Sequence, residues 1–300
     1  MAEEVHEHRL SSKRFTGVTS LNLAITIIEI IGGIGSGSLA LITDAVHNFG
    51  DSLSIVLSFV AQRIGGRDQD EHATFGYHRV EILAAFINSL VLIAVSLGLI
   101  WAGCSRLFAQ HQINGSVMLW TAVIGFVFNT GSALLLHSDA SDSLNIKATY
   151  LHLLADALSS IAVIVGAIVV MVFHIYWVDA VLTIVVAGYV IYETVAVVQQ
   201  TAAILLQAAP ALNYDEVVSA METVPGVVDV HHIHAWMEDE HDVIFSAHVN
   251  VAPENANQIE VITAAVAKKL QTEFSIAHVT LQLELTHGLH SARFAKHELS

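Results

Sequence analysis

Two histidine–aspartate pairs with the same spacing are the residues of this chain best suited to chemistry. His47 and Asp51 lie in HNFGDSLS, and His152 and Asp156 lie in HLLADALS. A separation of four residues places both members of a pair on one helix face, one turn apart, where they can reach the same ion. Two imidazoles and two carboxylates form a set that suits tetrahedral Zn²⁺. The pattern therefore predicts a metal site that prefers Zn²⁺, with Cd²⁺ and Co²⁺ as lesser ions.

Both pairs lie in long apolar segments, which indicates that the site is inside a membrane. Runs of about 20 apolar residues can cross the hydrocarbon region, and the sequence has six of them, at approximately 16–34, 39–62, 80–104, 113–136, 147–172 and 178–206. Ionisable groups inside a span are costly and usually functional. Asp44, three residues before His47, is a candidate pathway residue on the same face, although a structural role is equally open. An alternative is that the four motif residues only pair with one another to hold helices together. The repetition of the motif in two spans weakens this alternative.

The two motif segments also indicate an internal repeat. They are 105 residues apart, and each half of the membrane region contains three spans. Halves with an odd number of spans have opposite orientations, so the second and fifth spans are expected to run antiparallel around a pseudo-twofold axis. This arrangement would bring the four side chains into one cage near the middle of the membrane.

Composition excludes several other classes of protein. With 54% hydrophobic and only 13% charged residues, the chain is an integral membrane protein and not an ordinary soluble enzyme. A net charge of −16 argues against nucleic-acid binding, which needs basic patches. Lys and Arg are concentrated in loops on the side of the N-terminus, so both termini are predicted to be cytoplasmic. No cleavable signal peptide is expected.

A soluble acidic region follows Gln207 and contains nine of the 18 histidines. Its patterns predict the order helix, strand, strand, helix, strand, which is a small α+β domain. Strand alternation places His232 and His234 on one face and His231 on the other. The candidate metal ligands of this region are His231, His232, His234, His248 and Glu284. The predicted organisation is an N-terminal segment (1–14), an all-α transmembrane domain of six helices (15–207), a cytoplasmic metal-binding regulatory domain (208–290) and a tail (291–300).

Five segments together resemble the cation diffusion facilitator family, and specifically its zinc-exporting branch. They are SLALITDAVHNFGDS, FGYHRVEILAAFINSL, LNIKATYLHLLADALSS, VPGVVDVHHIHAW and HVTLQLE. The resemblance implies a homodimer of six-span protomers with ferredoxin-like (metallochaperone-like) cytoplasmic domains, exporting Zn²⁺ in exchange for protons. The family's transport ligands match His47, Asp51, His152 and Asp156. Related manganese and iron branches tend to have Asp where this chain has His, so zinc is favoured, and the absence of a His-rich loop between spans four and five favours a bacterial protein of the inner membrane.

The resemblance also implies metal sites outside the membrane. It places a binuclear site on His231, His248 and Glu284, with His232 as a possible additional ligand. It suggests another site where the loop after the second span meets the cytoplasmic domain, with Asp70, His72, His78 and His278 as candidates. A solvated charged loop is the equal alternative for that last group. Metal in the cytoplasmic domain would be a regulatory ligand that neutralises repulsion between two acidic domains.

The expected mechanism is an exchange of metal for protons at the cage, because both compete for the same imidazoles and carboxylates. An intramembrane zinc metalloenzyme is a weaker alternative, since it needs three protein ligands and an open position. A passive channel is disfavoured because tight chelation would trap the ion. A metal sensor that does not transport is supported only by the cytoplasmic domain. We therefore expect a transporter that needs no cofactor, with Zn²⁺ as its substrate, protons as its counter-substrate and the lipid bilayer as its surroundings.

Overall fold

The computed structural model describes residues 20–65, 67, 69–108, 111–136 and 144–294, without the side chains of 58, 59, 62 and 144–148. The predicted N-terminal segment 1–14 and residues 295–300 of the predicted tail lie outside the described residues. The chain divides into two compact units. The first contains the residues up to Ala61 together with Ala84–Val198, and the second contains Gln62–Leu83 together with the residues from Gln199 onward.

Each predicted apolar run coincides with a helix in the part of the chain that the structure describes. These helices are α1 (Ser20–Ser36, its described part), α2 (Leu39–Gly65), α3 (Arg79–Leu107), α4 (Gly115–Leu136), α5 (Leu144–Phe173) and α6 (Trp177–Leu205). Four of them, α3 to α6, are long and apolar enough to cross a membrane. The described part of α1 is apolar but shorter, and α2 has the length but carries the polar His47–Asp51 motif. The chain therefore has a helical transmembrane domain.

Small residues form much of the contact between α2, α4 and α5. Ala40, Ala122 and Ala167 are buried almost completely, and they let the helix backbones approach closely. Larger side chains fill the space around them, and these are Leu41, Met118, Val163 and Val170. This packing fixes α5 against its neighbours, and α5 carries one of the two motifs.

The start of α2 is fixed by a residue far away in sequence. The Asp179 carboxylate, on α6, accepts hydrogen bonds from Ser38 Oγ (2.5 Å), from the backbone N–H of Leu39 (2.9 Å) and from that of Ala40 (3.2 Å). A carboxylate at a helix N-terminus satisfies N–H groups that have no partner within the helix and interacts favourably with the helix dipole. Asp179 therefore positions the helix that carries His47 and Asp51.

The second unit contains a sheet of three strands, within the described residues, packed against two helices. The elements after the membrane helices are α7 (Tyr214–Glu222), β1 (Val227–Met237), β2 (Val243–Val251), a 3₁₀ turn (Pro253–Gln258), α8 (Ile259–Phe274) and β3 (Ile276–Glu284). The strand order is β1-β2-β3, with β1 antiparallel and β3 parallel to β2. Parallel neighbours need a crossover connection, which α8 provides. The predicted order of helices and strands is confirmed.

The core of this sheet domain forms between β2 and the two helices. Phe245 and Val249 of β2 are fully buried, as are Val266 and Leu270 of α8 and Met221 of α7. The apolar residues of α8 are spaced three or four apart, so they form one stripe that faces the sheet. The polar ligand candidates thus lie at the sheet but outside its apolar core.

Candidate metal centre

The two His/Asp pairs converge on one point between α2 and α5. His47 Nε2 lies 3.8 Å from Asp51 Oδ2 and 3.4 Å from Asp156 Oδ1. His152 Nε2 lies 3.1 Å from Asp51 Oδ2 and 3.7 Å from Asp156 Oδ2. Ligand atoms bound tetrahedrally to Zn²⁺ at 2.0–2.2 Å are separated by about 3.3–3.6 Å. His47, His152 and Asp156 each offer a ligand atom within 4.8 Å of the others, which is a spacing that one metal ion can bridge, and Asp51 contacts both histidines beside them.

The contacts along the two motif helices show their relative direction. Asp44 accepts a hydrogen bond from Ser159 Oγ (3.0 Å), while His47 contacts Asp156. One turn further along α2, Asp51 contacts His152, which is one turn earlier in α5. The helices therefore run antiparallel at the cage, as the internal repeat predicts.

The cage is buried on one side and partly exposed on the other. The side chains of His47 and Asp156 are 9% and 4% exposed, whereas those of His152 and Asp51 are 36% and 26% exposed. His47 Nδ1 and Asp156 Oδ2 are buried without a hydrogen-bond partner in the described part of the chain. A buried carboxylate oxygen without a donor is costly unless a cation binds it. This donor set therefore fits a divalent ion, and His152 and Asp51 form its more accessible side.

A second group of ligand atoms lies at the edge of the sheet domain. His248 Nδ1 is 3.0 Å from Glu284 Oε1, and His231 Nε2 is 3.5 Å from Glu284 Oε2. His231 and Glu284 are buried, and Glu284 Oε2 has no hydrogen-bond donor. Burial lowers the pKa of His248 below its usual value, so this imidazole is neutral at pH 7 and can bind a metal. The three residues form a site that can hold a metal ion.

A bulge in β1 changes the expected distribution of the three histidines in HHIH. His231 pairs with His248, but the next pair is His234 with Ser246, so β1 contains one extra residue. His232 lies in this bulge, and its backbone φ of 51° falls in the left-handed region. The prediction that His231 lies on the face opposite His232 is therefore wrong, because both rings contact His248, at 5.4 and 4.6 Å between ring centroids.

His234 lies further from this second group of ligand atoms. It is exposed, and its ring contacts that of His232 at 4.8 Å between centroids. The structure thus places His231, His248 and Glu284 together with His232 beside them, and it leaves His234 at the surface. Asp229, which sequence analysis did not single out, lies 3.6 Å from His231 Nδ1 through its Oδ2 atom.

The loop candidate Asp70 is engaged in local hydrogen bonds. One carboxylate oxygen accepts from the backbone N–H groups of His72 and Ala73, and the other accepts from the Tyr77 hydroxyl, each at 2.8 Å. The Tyr77 hydroxyl and the two N–H groups lower the pKa of Asp70. Asp70 therefore shapes a turn, and its oxygens are already occupied.

The other loop candidates are not gathered around a common point. His72 is exposed, and its Nε2 atom lies 3.9 Å from Glu71 Oε1. His78 Nδ1 is 3.9 Å from Asp239 Oδ2, while His278 packs edge-on against the Phe75 ring. Within the described ranges, the structure does not bring the four candidates of this predicted loop site together. The oxygens of Asp70 accept hydrogen bonds within its own turn, and the three histidines contact different neighbours.

Two further residues position these sites without binding metal themselves. Asp179 holds the start of α2, and its only sequence signal is an acidic residue at the beginning of an apolar run. Gly288 follows β3 with a φ of 68°, and a Cβ at this position would lie 2.2 Å from His231 Nε2. The chain can therefore pass over His231 only because residue 288 has no side chain.

The fold and the cage define an integral membrane protein with a cluster of candidate metal ligands between two of its helices. Comparison with known proteins agrees: residues 17–206 match the cation efflux transmembrane domain, and residues 209–286 match the cation efflux protein, cytoplasmic domain. The chain belongs to this family of cation efflux proteins, the cation diffusion facilitators that its motifs resemble. The family consists of transporters, so the metalloenzyme alternative is excluded.

Individual relatives align along most of their length. The chain is 32% identical over 282 residues to the metal cation efflux system protein CzcD of Cupriavidus metallidurans, an alignment that covers 93% of this chain and 89% of the relative. It is 29% identical over 277 residues to the zinc transporter ZitB of Escherichia coli, covering 91% and 88%. It is 28% identical over 290 residues to a human protein named as a proton-coupled zinc antiporter, covering 93% and 78%.

Proposed function

We propose that this chain is an antiporter that exports Zn²⁺ from the cytoplasm in exchange for protons, with Cd²⁺ and Co²⁺ as lesser substrates. The observation that supports the proposal is the convergence of His47, His152 and Asp156, whose ligand atoms lie within 4.8 Å of one another, with Asp51 Oδ2 3.8 and 3.1 Å from the two histidines, because two imidazoles and two carboxylates are a donor set that suits Zn²⁺. The names of the relatives, which include zinc and cation efflux proteins and a proton-coupled antiporter, support the same activity.

Competition between protons and metal at the cage provides the coupling. Metal binding requires neutral imidazoles and ionised carboxylates, so each ion that binds displaces protons from the same groups. The cage loads Zn²⁺ while open to the cytoplasm, opens to the other side, and exchanges the metal for one or two protons. His47 and His152 are the natural proton carriers, because the ordinary pKa of histidine lies closest to neutrality.

The proposed arrangement in the membrane has six spans, α1 to α6, within a transport domain of residues 15–207. The two motif helices run antiparallel, which requires an odd number of spans in each repeat. Three spans in each repeat meet this requirement and give six in total. The N-terminal segment 1–14, the regulatory domain 208–290 and the tail 291–300 are then all cytoplasmic. The relatives from bacteria support a location in the bacterial inner membrane.

The cytoplasmic domain is proposed to act as a ferredoxin-like dimerisation and regulatory module. His231, His248 and Glu284 support Zn²⁺ binding there, with His232 as an additional ligand. Metal at this site neutralises acidic groups and favours pairing of two domains, which biases a homodimer toward transport. His248→Ala is expected to make association of the domains independent of zinc, as measured by crosslinking of the full chain at increasing zinc concentration; unchanged zinc dependence would remove this role.

The site of the sheet domain also supports a second candidate function, that of a membrane sensor that binds zinc without moving it. Asp51→Ala separates the two functions in everted vesicles that report zinc uptake with a fluorescent indicator. A transporter loses proton-driven uptake in this variant, because the cage retains only three ligands. Val56→Ala, at an exposed position one turn further along α2, is the matched control and is expected to transport normally. Wild-type flux in Asp51→Ala would remove Asp51 from the transport ligands, and the absence of flux in the wild type would favour the sensor.

A further inference from the structure

A completely buried carboxyl group on α1 has no role in the cage described above. Glu29 is 0% exposed. Its Oε2 atom accepts a hydrogen bond from Asn48 Nδ2 at 2.8 Å, and its Oε1 atom has no hydrogen-bond partner among the residues that the structure describes. Among the ion pairs of the described residues, none includes Glu29. An ionised carboxylate in this position would lack a cation to compensate the loss of water.

Other acidic groups surround Glu29 instead of cations. Asp44 on α2 is also buried, at 3% exposure, and its carboxyl group lies close enough to Glu29 for the two negative charges to repel each other. Asp156 on α5 adds a further negative charge near Glu29. Two carboxyl groups that share a buried site cannot both be ionised without a large cost, so one of them retains a proton.

The helix packing provides a space for this group. On α4, Gly125 faces Glu29, and a Cβ there would lie 2.6 Å from Glu29 Oε1. The carboxyl group of Glu29 therefore occupies the place that any other residue at 125 would fill. Asn48, which follows His47 directly in α2, holds the opposite oxygen. The contacts place the carboxyl group beside the cage without making it a ligand.

We propose that Glu29 is a proton-binding site separate from the metal cage, with Asp44 as the carboxylate that shares its proton. This inference rests on the proposed antiport and identifies an additional carrier for the exchanged protons. When Zn²⁺ occupies the cage, its two positive charges favour ionisation of the neighbouring carboxyl group, and Glu29 releases H⁺. When the metal leaves, the uncompensated negative charge of Asp51 and Asp156 favours return of the proton. Metal and proton thus exclude each other through charge at separate sites.

The direct test is the number of protons released when purified full-length protein in detergent binds Zn²⁺, measured by titration calorimetry in buffers with different ionisation enthalpies. Glu29→Gln keeps the size of the side chain and cannot release a proton. It is expected to bind Zn²⁺ while releasing about one proton fewer than the wild type at the pH of maximal release. Glu193→Gln, at a half-buried carboxylate of α6 that accepts a hydrogen bond from the Tyr189 hydroxyl, is the control and is expected to release the wild-type number. Unchanged proton release in Glu29→Gln would overturn the proposal.

A second measurement does not depend on folding of the variant. In the wild type, zinc binding is expected to remove the infrared carbonyl band of a protonated carboxylic acid, and absence of such a loss would overturn the proposal. His152→Ala distinguishes this proposal from the proposed function. If His152→Ala abolishes zinc transport while Glu29→Gln releases as many protons as the wild type, the antiport stands and the role of Glu29 fails. If His152→Ala transports normally, the antiport at the cage fails, whatever Glu29 releases.

Discussion

Asp179 provides the sharpest test of what stabilises the start of the helix that carries His47 and Asp51. Its carboxylate accepts three hydrogen bonds at the start of α2, and the residue is only 1% exposed. Hydrogen bonds to a buried charged group contribute about 1.5–3 kcal/mol each, and the interaction of a carboxylate with a helix N-terminus adds about 0.3–1 kcal/mol. Asp179→Asn keeps one acceptor oxygen but points an NH₂ group at the N–H of Leu39. We expect it to lower the free energy of unfolding by about 2 kcal/mol, and Asp179→Ala by about 3–4 kcal/mol, since the lost bonds are not fully additive.

Unfolding of the purified protein in detergent, followed by circular dichroism, tests whether Asp179→Ala destabilises the protein more than Asp179→Asn does. Leu39 and His47 are eight residues apart, about 12 Å along the helix, whereas the effect of a cap is confined to the first turn. The zinc affinity of the cage is therefore expected to change by less than about threefold. Glu193→Gln makes the same chemical change as Asp179→Asn at a half-buried position of α6, where the carboxylate accepts one hydrogen bond from the Tyr189 hydroxyl, and is expected to be nearly neutral. Asp179→Ala with a stability within about 0.5 kcal/mol of the wild type would refute the reasoning.

Two further predictions concern the unit that contains the sheet. Gly288→Ala should weaken zinc binding by the cytoplasmic site at least about tenfold, because its Cβ would lie 2.2 Å from His231 Nε2 and the backbone has a φ of 68°. Competition with a zinc-chelating dye measures this affinity. An unchanged affinity would show that the chain at residue 288 does not constrain His231. Tyr77→Phe should raise the pKa of Asp70 toward its ordinary value, because the Tyr77 hydroxyl is the largest cause of its lowering. Because the pKa of Asp70 is lowered, its ionised carboxylate stabilises the turn fully at pH values above the ordinary Asp pKa. This stabilisation is lost as the pH falls through the lowered pKa. A carboxylate titration by nuclear magnetic resonance that gives the same pKa in both proteins would contradict this.

The cage could be predicted from the sequence because its geometry depends mainly on local structure. A spacing of four residues fixes the relation of His47 to Asp51, and the same holds for His152 and Asp156. The repeat then predicts the antiparallel contact, which the structure places at the same residues. Apolar length alone predicts each helix, although α2 is less apolar than the others because it carries the motif.

The remaining features depend on contacts that the local pattern does not contain. The cap from Asp179 joins residues 140 apart in sequence. The bulge at His232 breaks the alternation of β1, so a rule based on a period of two assigned His231 to the wrong face. Glu29 Oε1 is buried opposite Gly125 without a hydrogen-bond partner among the described residues, and this likewise depends on how three helices pack. Asp70 has the chemistry of a ligand, but the hydroxyl of Tyr77 and its own turn occupy its oxygens.

Zinc uptake into proteoliposomes, with and without an imposed proton gradient, is the most direct test of proton-coupled transport at the cage. Uptake by the wild type is expected to follow the gradient, and His152→Ala is expected to abolish it, since this variant removes one of the four proposed ligands of the cage. Binding of zinc without gradient-driven uptake in the wild type, or undiminished uptake in His152→Ala, would contradict it.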